Sequence, residues 1–213
     1  MIADQWPLFG LVLRTPRLEL RLPDLPRAAE LAELAKAGVH DPAVQPFVAE
    51  WTDASPERVA AGVLQWNWGS WAAWRPESWS LGLVVIADGR VVGTQGIDAR
   101  EFATLREVGT GSWLGIAEHG KGYGTEMRAA VLELAFAGLD ARFATSEAFE
   151  DNHASYGVSR KLGYADDGIT RHVVRGKAIA GRRLRLDRAG WEAARAVPVT
   201  IEGLDPCRSM FGA

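Results

Sequence analysis

The chain reads as a mixed α/β protein in which a sheet carries a binding turn. Strand-like and helix-like periods interleave over most of its length. Asp88-Gly89 joins two apolar runs as a tight hairpin. A short apolar strand, Ser112 to Ile116, passes through Gly120, Gly122 and Gly124 straight into a helical pattern. In that pattern Met127, Val131 and Leu134 stand at i, i+4, i+7, with Glu126, Arg128 and Glu133 between them.

Taken in order, Leu11 to Leu22 alternates as one strand, and Pro23-Asp24 ends it. Asp24 is placed to cap a helix from Leu25 to about Lys36, closed by Gly38. Val39 to Thr52 has no period and reads as a loop. Ser55-Pro56-Glu57 opens a helix that runs to about Trp74, with Ser55 as the capping hydroxyl. Trp79 to Ile86 and Arg90 to Ile97 are the hairpin strands. Asp98 to Arg106 reads as a polar connection, and Glu107 to Ile116 as the strand before the glycine turn. Arg142 to Phe149 is a further strand, and Asp151-Asn152 begins a helix that stops at Gly163. Tyr164 starts a strand, Lys177 to Leu186 pairs with it, and Asp187 to Ala196 is a short helix. The tail to Ala213 holds one more strand signal near Val199 to Ile201.

Bulk properties narrow the function classes. The 213 residues suit a single domain, 1–213. Net charge is −3, which leaves no basic footprint for a nucleic-acid partner. One cysteine, Cys207, excludes an internal disulfide and a cysteine-based metal site, and no metal is expected. No apolar run approaches ~18 residues and no leader pattern opens the chain, so no membrane partner and a cytoplasmic location are expected. Of the nine Trp, five fall between Trp66 and Trp79, which reads as core, as the contact of a homodimer, or as the aromatic wall of an acceptor pocket.

A strand-to-helix turn rich in glycine frees backbone N–H groups at the positive end of a helix dipole, a natural cradle for phosphate. It is not a P-loop, because Gly120-Lys121 is followed by Gly122. It is not a dinucleotide fingerprint, because Thr125 and Met127 stand where the third glycine belongs. The spacing His119-x-x-Gly122-x-Gly124 resembles the coenzyme A pyrophosphate loop of the GNAT N-acyltransferase superfamily, with His in place of the leading Arg or Gln. Arg14-Thr-Pro-Arg-Leu-Glu-Leu-Arg21 is similar to the opening of the RimJ/RimL branch, the ribosomal-protein N-terminal acetyltransferases. Asn152-His-Ala-Ser155, followed by Lys161-Leu-Gly-Tyr164, resembles that family's second motif. The Gly-Ser-Trp-Leu-Gly strand and the Tyr-Gly-Thr-Glu-Met-Arg helix are similar to actinobacterial members, some of which resemble succinyl-CoA users. The resemblance covers about residues 9–188, leaving 189–213 as a C-terminal extension.

The resemblance implies a GNAT fold: a central mixed, mostly antiparallel twisted sheet of about seven strands, flanked by helices and splayed at the CoA-binding strand. It implies an acyl-CoA-dependent N-acyltransferase with acetyl-CoA or succinyl-CoA as donor. The acceptor would be an amine of a protein N-terminus, a lysine or a small molecule. His119, Gly120, Lys121, Gly122, Tyr123, Gly124 and Thr125 would hold the pyrophosphate. Trp113, Leu114, Gly115 and Ile116 would lie along the pantetheine arm, with a bulge freeing an N–H near Leu114 for the thioester oxygen. Asn152 would bond the same arm, or simply cap its helix.

The proton donor and base depart from the family pattern. The family Tyr seven residues after the Asn is Ser159 here. A Tyr hydroxyl at 159 would end near residue 155, since helical side chains lean toward the N-terminus, so Ser155 is the candidate acid, with Tyr156 rotated away. The branch's Glu on the CoA strand falls at Gly109. Glu107, on the same strand face, is either the candidate base or a solvent-facing strand carboxylate; His153 and His119 rank behind it, and a water chain is the remaining alternative. Arg182, Arg183 and Arg185 are placed either to hold a second carboxylate or as an exposed basic strand. The rival class is a CoA-binding regulatory or scaffolding module that lacks catalysis, separated from the enzyme by turnover.

Overall fold

The computed structural model describes all 213 residues. In chain order the elements are α1 (Ile2–Gln5), β1 (Val12–Arg14), β2 (Leu18–Arg21), α2 (Leu25–Ala37), α3 (Pro56–Ala72), β3 (Ser78–Ala87), β4 (Arg90–Arg100), α4 (Phe102–Leu105) and β5 (Glu107–Leu114). There follow α5 (Tyr123–Glu133), β6 (Phe143–Phe149), α6 (His153–Lys161), β7 (Ala165–Val174), β8 (Lys177–Asp187), α7 (Arg188–Ala194) and β9 (Thr200–Glu202). The strands form one nine-stranded sheet in the order β7-β8-β6-β5-β4-β3-β2-β1-β9. Every neighbouring pair is antiparallel except β5 and β6.

Strand alternation divides the apolar residues between two helical layers. On β3, Leu81, Leu83 and Val85 join α5, Leu162 of the α6 end and Trp191 of α7 in a 35-residue core cluster. Val84 and Ile86 point the other way, into a smaller cluster with Leu31 and Ala35 of α2 and Val59 and Val63 of α3. The sheet thus has an α5/α6/α7 face and an α2/α3 face. No helix is long and apolar enough to cross a membrane.

The strand count is nine where about seven were expected. Leu11 to Leu22 is two strands: Thr15 closes a turn by taking Leu18 N–H on its hydroxyl at 3.0 Å and giving its own N–H to the Leu18 carbonyl at 2.9 Å. β9 then pairs with β1. Asp24 caps α2 through Arg27 N–H, and Gly38 closes it at φ +115°. Ser55 precedes Pro56 but makes no capping bond, and α3 ends at Ala72 rather than Trp74. The stretch read as a polar connection supplies the end of β4, which runs on through Asp98 to Arg100.

The Trp-rich segment resolves residue by residue. Trp74 and Trp79 stack in the core at 5.7 Å, and their indole N–H groups donate to the carbonyls of Met210 and Phe211. They tie the C-terminal extension into the core. Trp71 packs edge-on against Phe9. Trp66 and Trp68 stay about half exposed. The aromatic surface beside the glycine-turn strand comes from elsewhere: Trp113 lies 5.8 Å from Trp51, which in turn meets Phe47.

Candidate active site

β5 and β6 run parallel but pair only over Glu107–Gly109 with Phe143–Thr145. Side chains seal the end of this pairing. Thr110 Oγ1 donates to the Thr145 carbonyl at 3.0 Å, and Thr145 Oγ1 to the Val108 carbonyl at 3.2 Å. Beyond that point the strands part, leaving the β6-facing edge of Ser112, Trp113 and Leu114 without a strand neighbour. β5 keeps an unbroken register with β4 from Gly93↔Leu114 to Asp98↔Gly109. The opening is therefore a divergence of β6, and the bulge expected in β5 is absent: continuous β4 pairing leaves no extra residue to form one.

The open edge leads to the glycine turn. Gly115 is buried against Leu34 of α2, where a Cβ would come within 2.5 Å of Leu34 Cδ1. Ile116 N–H donates to the Gly38 carbonyl at 3.0 Å. His119 is exposed, its Nε2 3.2 Å from the Leu114 carbonyl, and Lys121 pairs with Glu118 at 2.8 Å. Gly120 and Gly122 take φ of +77° and +84°, a region that L side chains rarely enter. These two residues turn the chain so that Tyr123, Gly124 and Thr125 form the first turn of α5. From Gly120 to Thr125 no backbone N–H meets a backbone carbonyl. The arrangement is a nest of free donors on a helix N-terminus, which suits a diphosphate.

The hairpin at Thr15-Pro-Arg17 braces this turn, a link that local sequence reading missed. Arg17 donates from Nε to Glu126 Oε2 at 2.7 Å and from Nη1 to the Lys121 carbonyl at 3.0 Å. Its guanidinium also lies 5.0 Å from the centre of the Tyr123 ring.

α6 reaches the same opening from the other side. Asn152 caps it, accepting Ser155 N–H on Oδ1 at 3.1 Å, so its side-chain NH₂ stays free to donate. Ser155 is half-buried and its hydroxyl meets no protein partner. Tyr156 donates its hydroxyl to Asp166 at 3.2 Å and lies under Arg182. Ser159 is fully buried and accepts from Arg128 Nη1 at 3.3 Å. Arg128, 3 % exposed on α5, also donates to Ser146 and Ser112, and no carboxylate pairs with it. Burial lowers its pKa, offset partly by the Tyr164 hydroxyl. The guanidinium fills the space beneath the opening, which explains why a small serine stands at 159.

On the α2/α3 face, an open groove of about 420 Å³ runs beside the end of the β5–β6 pairing. Glu107 lines it, but its carboxylate is paired with Arg185 at 2.6 Å. The other arginines of β8 are also engaged: Arg183 bonds the Asp167 carbonyl, and Arg182 covers Tyr156. Asp98, not foreseen from the sequence, lines the groove opposite Gly109 and has no hydrogen-bond or ion-pair partner. The residue is exposed at the rim of the groove; partial desolvation by its neighbours raises its carboxyl above the usual carboxylate range, and Arg100 opposes the shift. The signal that could have revealed it is the period of β4 continuing past Ile97.

Known structures share this architecture. Mycobacterium smegmatis RimJ, in complex with a CoA disulfide, superposes with a TM-score of 0.71 at 19% identity over 90% of this chain and 97% of that one. RimL, the ribosomal L7/L12 α-N-protein acetyltransferase in complex with coenzyme A, gives 0.67 at 18% identity over 83% and 97%. The microcin C7 self-immunity acetyltransferase MccE, in complex with acetyl-CoA and AMP, gives 0.61 at 15% identity over 81% and 93%. At these identities the likeness is one of fold. The acetyltransferase (GNAT) domain profile matches residues 17–165, most of the chain including the braced turn and the opened strand pair, and on that ground the chain belongs to the GNAT family of N-acetyltransferases.

Proposed function

We propose that the protein transfers an acyl group directly from a CoA thioester to a primary amine, with the pyrophosphate on Gly120–Thr125 and the pantetheine arm along the opened edge of β5. The observation that supports this most is the continuity of that edge with the free N–H groups of the turn. The arm's amides complete the β5 edge as a neighbouring strand would, and the Asn152 side-chain amide has a donor left for it. Ser155, at the mouth of the opening with an unengaged hydroxyl, protonates the departing thiolate. The acceptor approaches from the α2/α3 face, past Trp51 and Trp113.

Acetyl-CoA is the simplest donor. Ser112 at the opening is small enough to admit a longer acyl group such as succinyl. Arg183 and Arg185 of β8 are already paired with Asp167 and Glu107, whereas Arg182, over the Tyr156 ring, has no carboxylate partner and is the β8 arginine free to meet a second carboxylate.

Calorimetry with acetyl-, propionyl- and succinyl-CoA tests the donor site. Thiol release in the presence of a Ser-terminated peptide, a lysine peptide or spermidine tests transfer. Failure of all three thioesters to bind rules out the site. Binding without release of CoA to any amine turns the reading to a CoA-binding module, which the replacement of the family Tyr by buried Ser159 also favours.

A further inference from the structure

We infer that Asp98 is the general base of the transfer, taking the proton from the acceptor amine as it attacks the thioester. The inference rests on the acyltransferase reading above.

Its ground is cross-strand register. Asp98 on β4 pairs with Gly109 on β5, so both present the same face, that of α2 and α3. Gly109 has no side chain, and the carboxyl of Asp98 occupies the space above it. A Cβ added at 109 would sit 3.0 Å from both Oδ1 and Oδ2. Gly109 is also the last β5 residue paired with β6. The carboxyl therefore stands where the two strands begin to part, on the side from which an acceptor can enter.

Four carboxylates border this groove, and three of them are occupied. Glu107 pairs with Arg185, Asp167 with Arg183, and Glu147 accepts from Thr170 and His172. Asp98 alone has no partner. The charged groups around it are Arg100 on its own strand, Glu107 on β5, Glu147 on β6, Arg183 and Arg185 on β8, and Asp167 on β7. A carboxylate that no cation holds accepts a proton more readily than one locked in an ion pair, and partial desolvation acts in the same direction.

The step balances without a further reactant. The amine nitrogen forms a bond to the thioester carbonyl carbon, and the C–S bond breaks. CoA leaves with the electron pair as thiolate and is protonated. The proton lost by nitrogen passes to the Asp98 carboxylate, directly or across one water, and then to solvent.

The test is Asp98→Asn, measured with acetyl-CoA and whichever amine of the panel the wild type turns over. We expect kcat to fall about 10²-fold, the acidic limb of the pH–kcat/KM profile to disappear, and acetyl-CoA affinity by calorimetry to stay unchanged. The double variant Asp98→Ala with Gly109→Glu moves the carboxylate across the strand pair into the vacated space. It should recover at least tenfold over Asp98→Ala alone. An Asp98→Asn protein within threefold of wild type, with the acidic limb intact, overturns the assignment while leaving the acyltransferase reading standing. A wild type that binds acetyl-CoA but acylates no amine overturns both. Asn is nearly isosteric with Asp, so the single variant decides the matter even if the double variant fails to fold.

Discussion

Arg17 and Glu126 join parts of the chain 109 residues apart into one anchor for the glycine turn. Glu126 is 7 % exposed, and its carboxylate accepts from Arg17 Nε, Arg17 N–H and Thr15 Oγ1. The same guanidinium takes the Lys121 carbonyl, so the hairpin between β1 and β2 holds both the turn and the first turn of α5.

Arg17→Met should therefore weaken both fold and ligand. It leaves a buried carboxylate short of donors, at a cost of about 2 kcal/mol, less whatever solvent recovers around the half-exposed arginine. Urea denaturation reads the loss of stability. Calorimetry should show acetyl-CoA binding at least tenfold weaker, and unchanged affinity would separate the anchor from the binding site.

Gly122 and Gly124 should not behave alike, although their spacing makes them look equivalent. Gly122→Ala forces a side chain into φ +84° with its Cβ 3.3 Å from Arg17 Nη2. It should cost about 1–2 kcal/mol and most of the CoA affinity. Gly124 lies in the first turn of α5, where a Cβ would meet Val158 Cγ2 at an ordinary 3.4 Å. Gly124→Ala should keep or raise the melting temperature, because Ala favours helix by up to about 1 kcal/mol. Melting curves with and without acetyl-CoA distinguish the two variants, and a destabilised Gly124→Ala protein would contradict this geometry.

Ser155 can be separated from its helix cap. Its N–H is held by Asn152, so the cap survives in Ser155→Ala. That variant should lower kcat by about 10²-fold with little change in stability or CoA affinity. Asn152→Ala should instead cost about 1 kcal/mol of stability by removing the cap. Tyr156→Phe should leave the rate alone, since its hydroxyl is turned to Asp166. Steady-state kinetics on the three variants would expose the reverse order if Tyr156 were the donor.

Asp98 should also mark the pH dependence of stability. Its folded pKa lies above the unfolded value because neighbouring groups partly desolvate the charged form, an effect that solvent at the exposed side chain keeps small. Below roughly pH 3 both states are protonated and the residue is neutral to stability. As pH rises, the unfolded chain loses the proton first, so stability falls across the window up to the folded pKa and stays lower above it. Asp98→Asn should therefore melt higher than wild type at pH 7, and the difference should shrink toward low pH. A melting difference of the opposite sign at pH 7 would show that the carboxylate is stabilised in the fold.

Features carried by a few neighbouring residues were legible in the chain itself. A positive φ favours glycine, so the turn at Gly120 and Gly122 announced itself, as did the Asp88-Gly89 hairpin and the stop at Gly163. Side-chain period marked most of the strands and helices, including the helix that begins at the turn. Contacts between distant segments were decided only by tertiary packing. Whether Glu107 stood free depended on β8 laying Arg185 beside it. That Ser159 was small for a reason depended on α5 burying Arg128 under it. That a carboxylate stood over Gly109 depended on the register of β4 against β5, and a shift of one residue would have turned Asp98 to the opposite face. Local conformational preference acts along the chain and can be read there. Charge pairing and strand register act across the chain, and they take their values only when the sheet has closed.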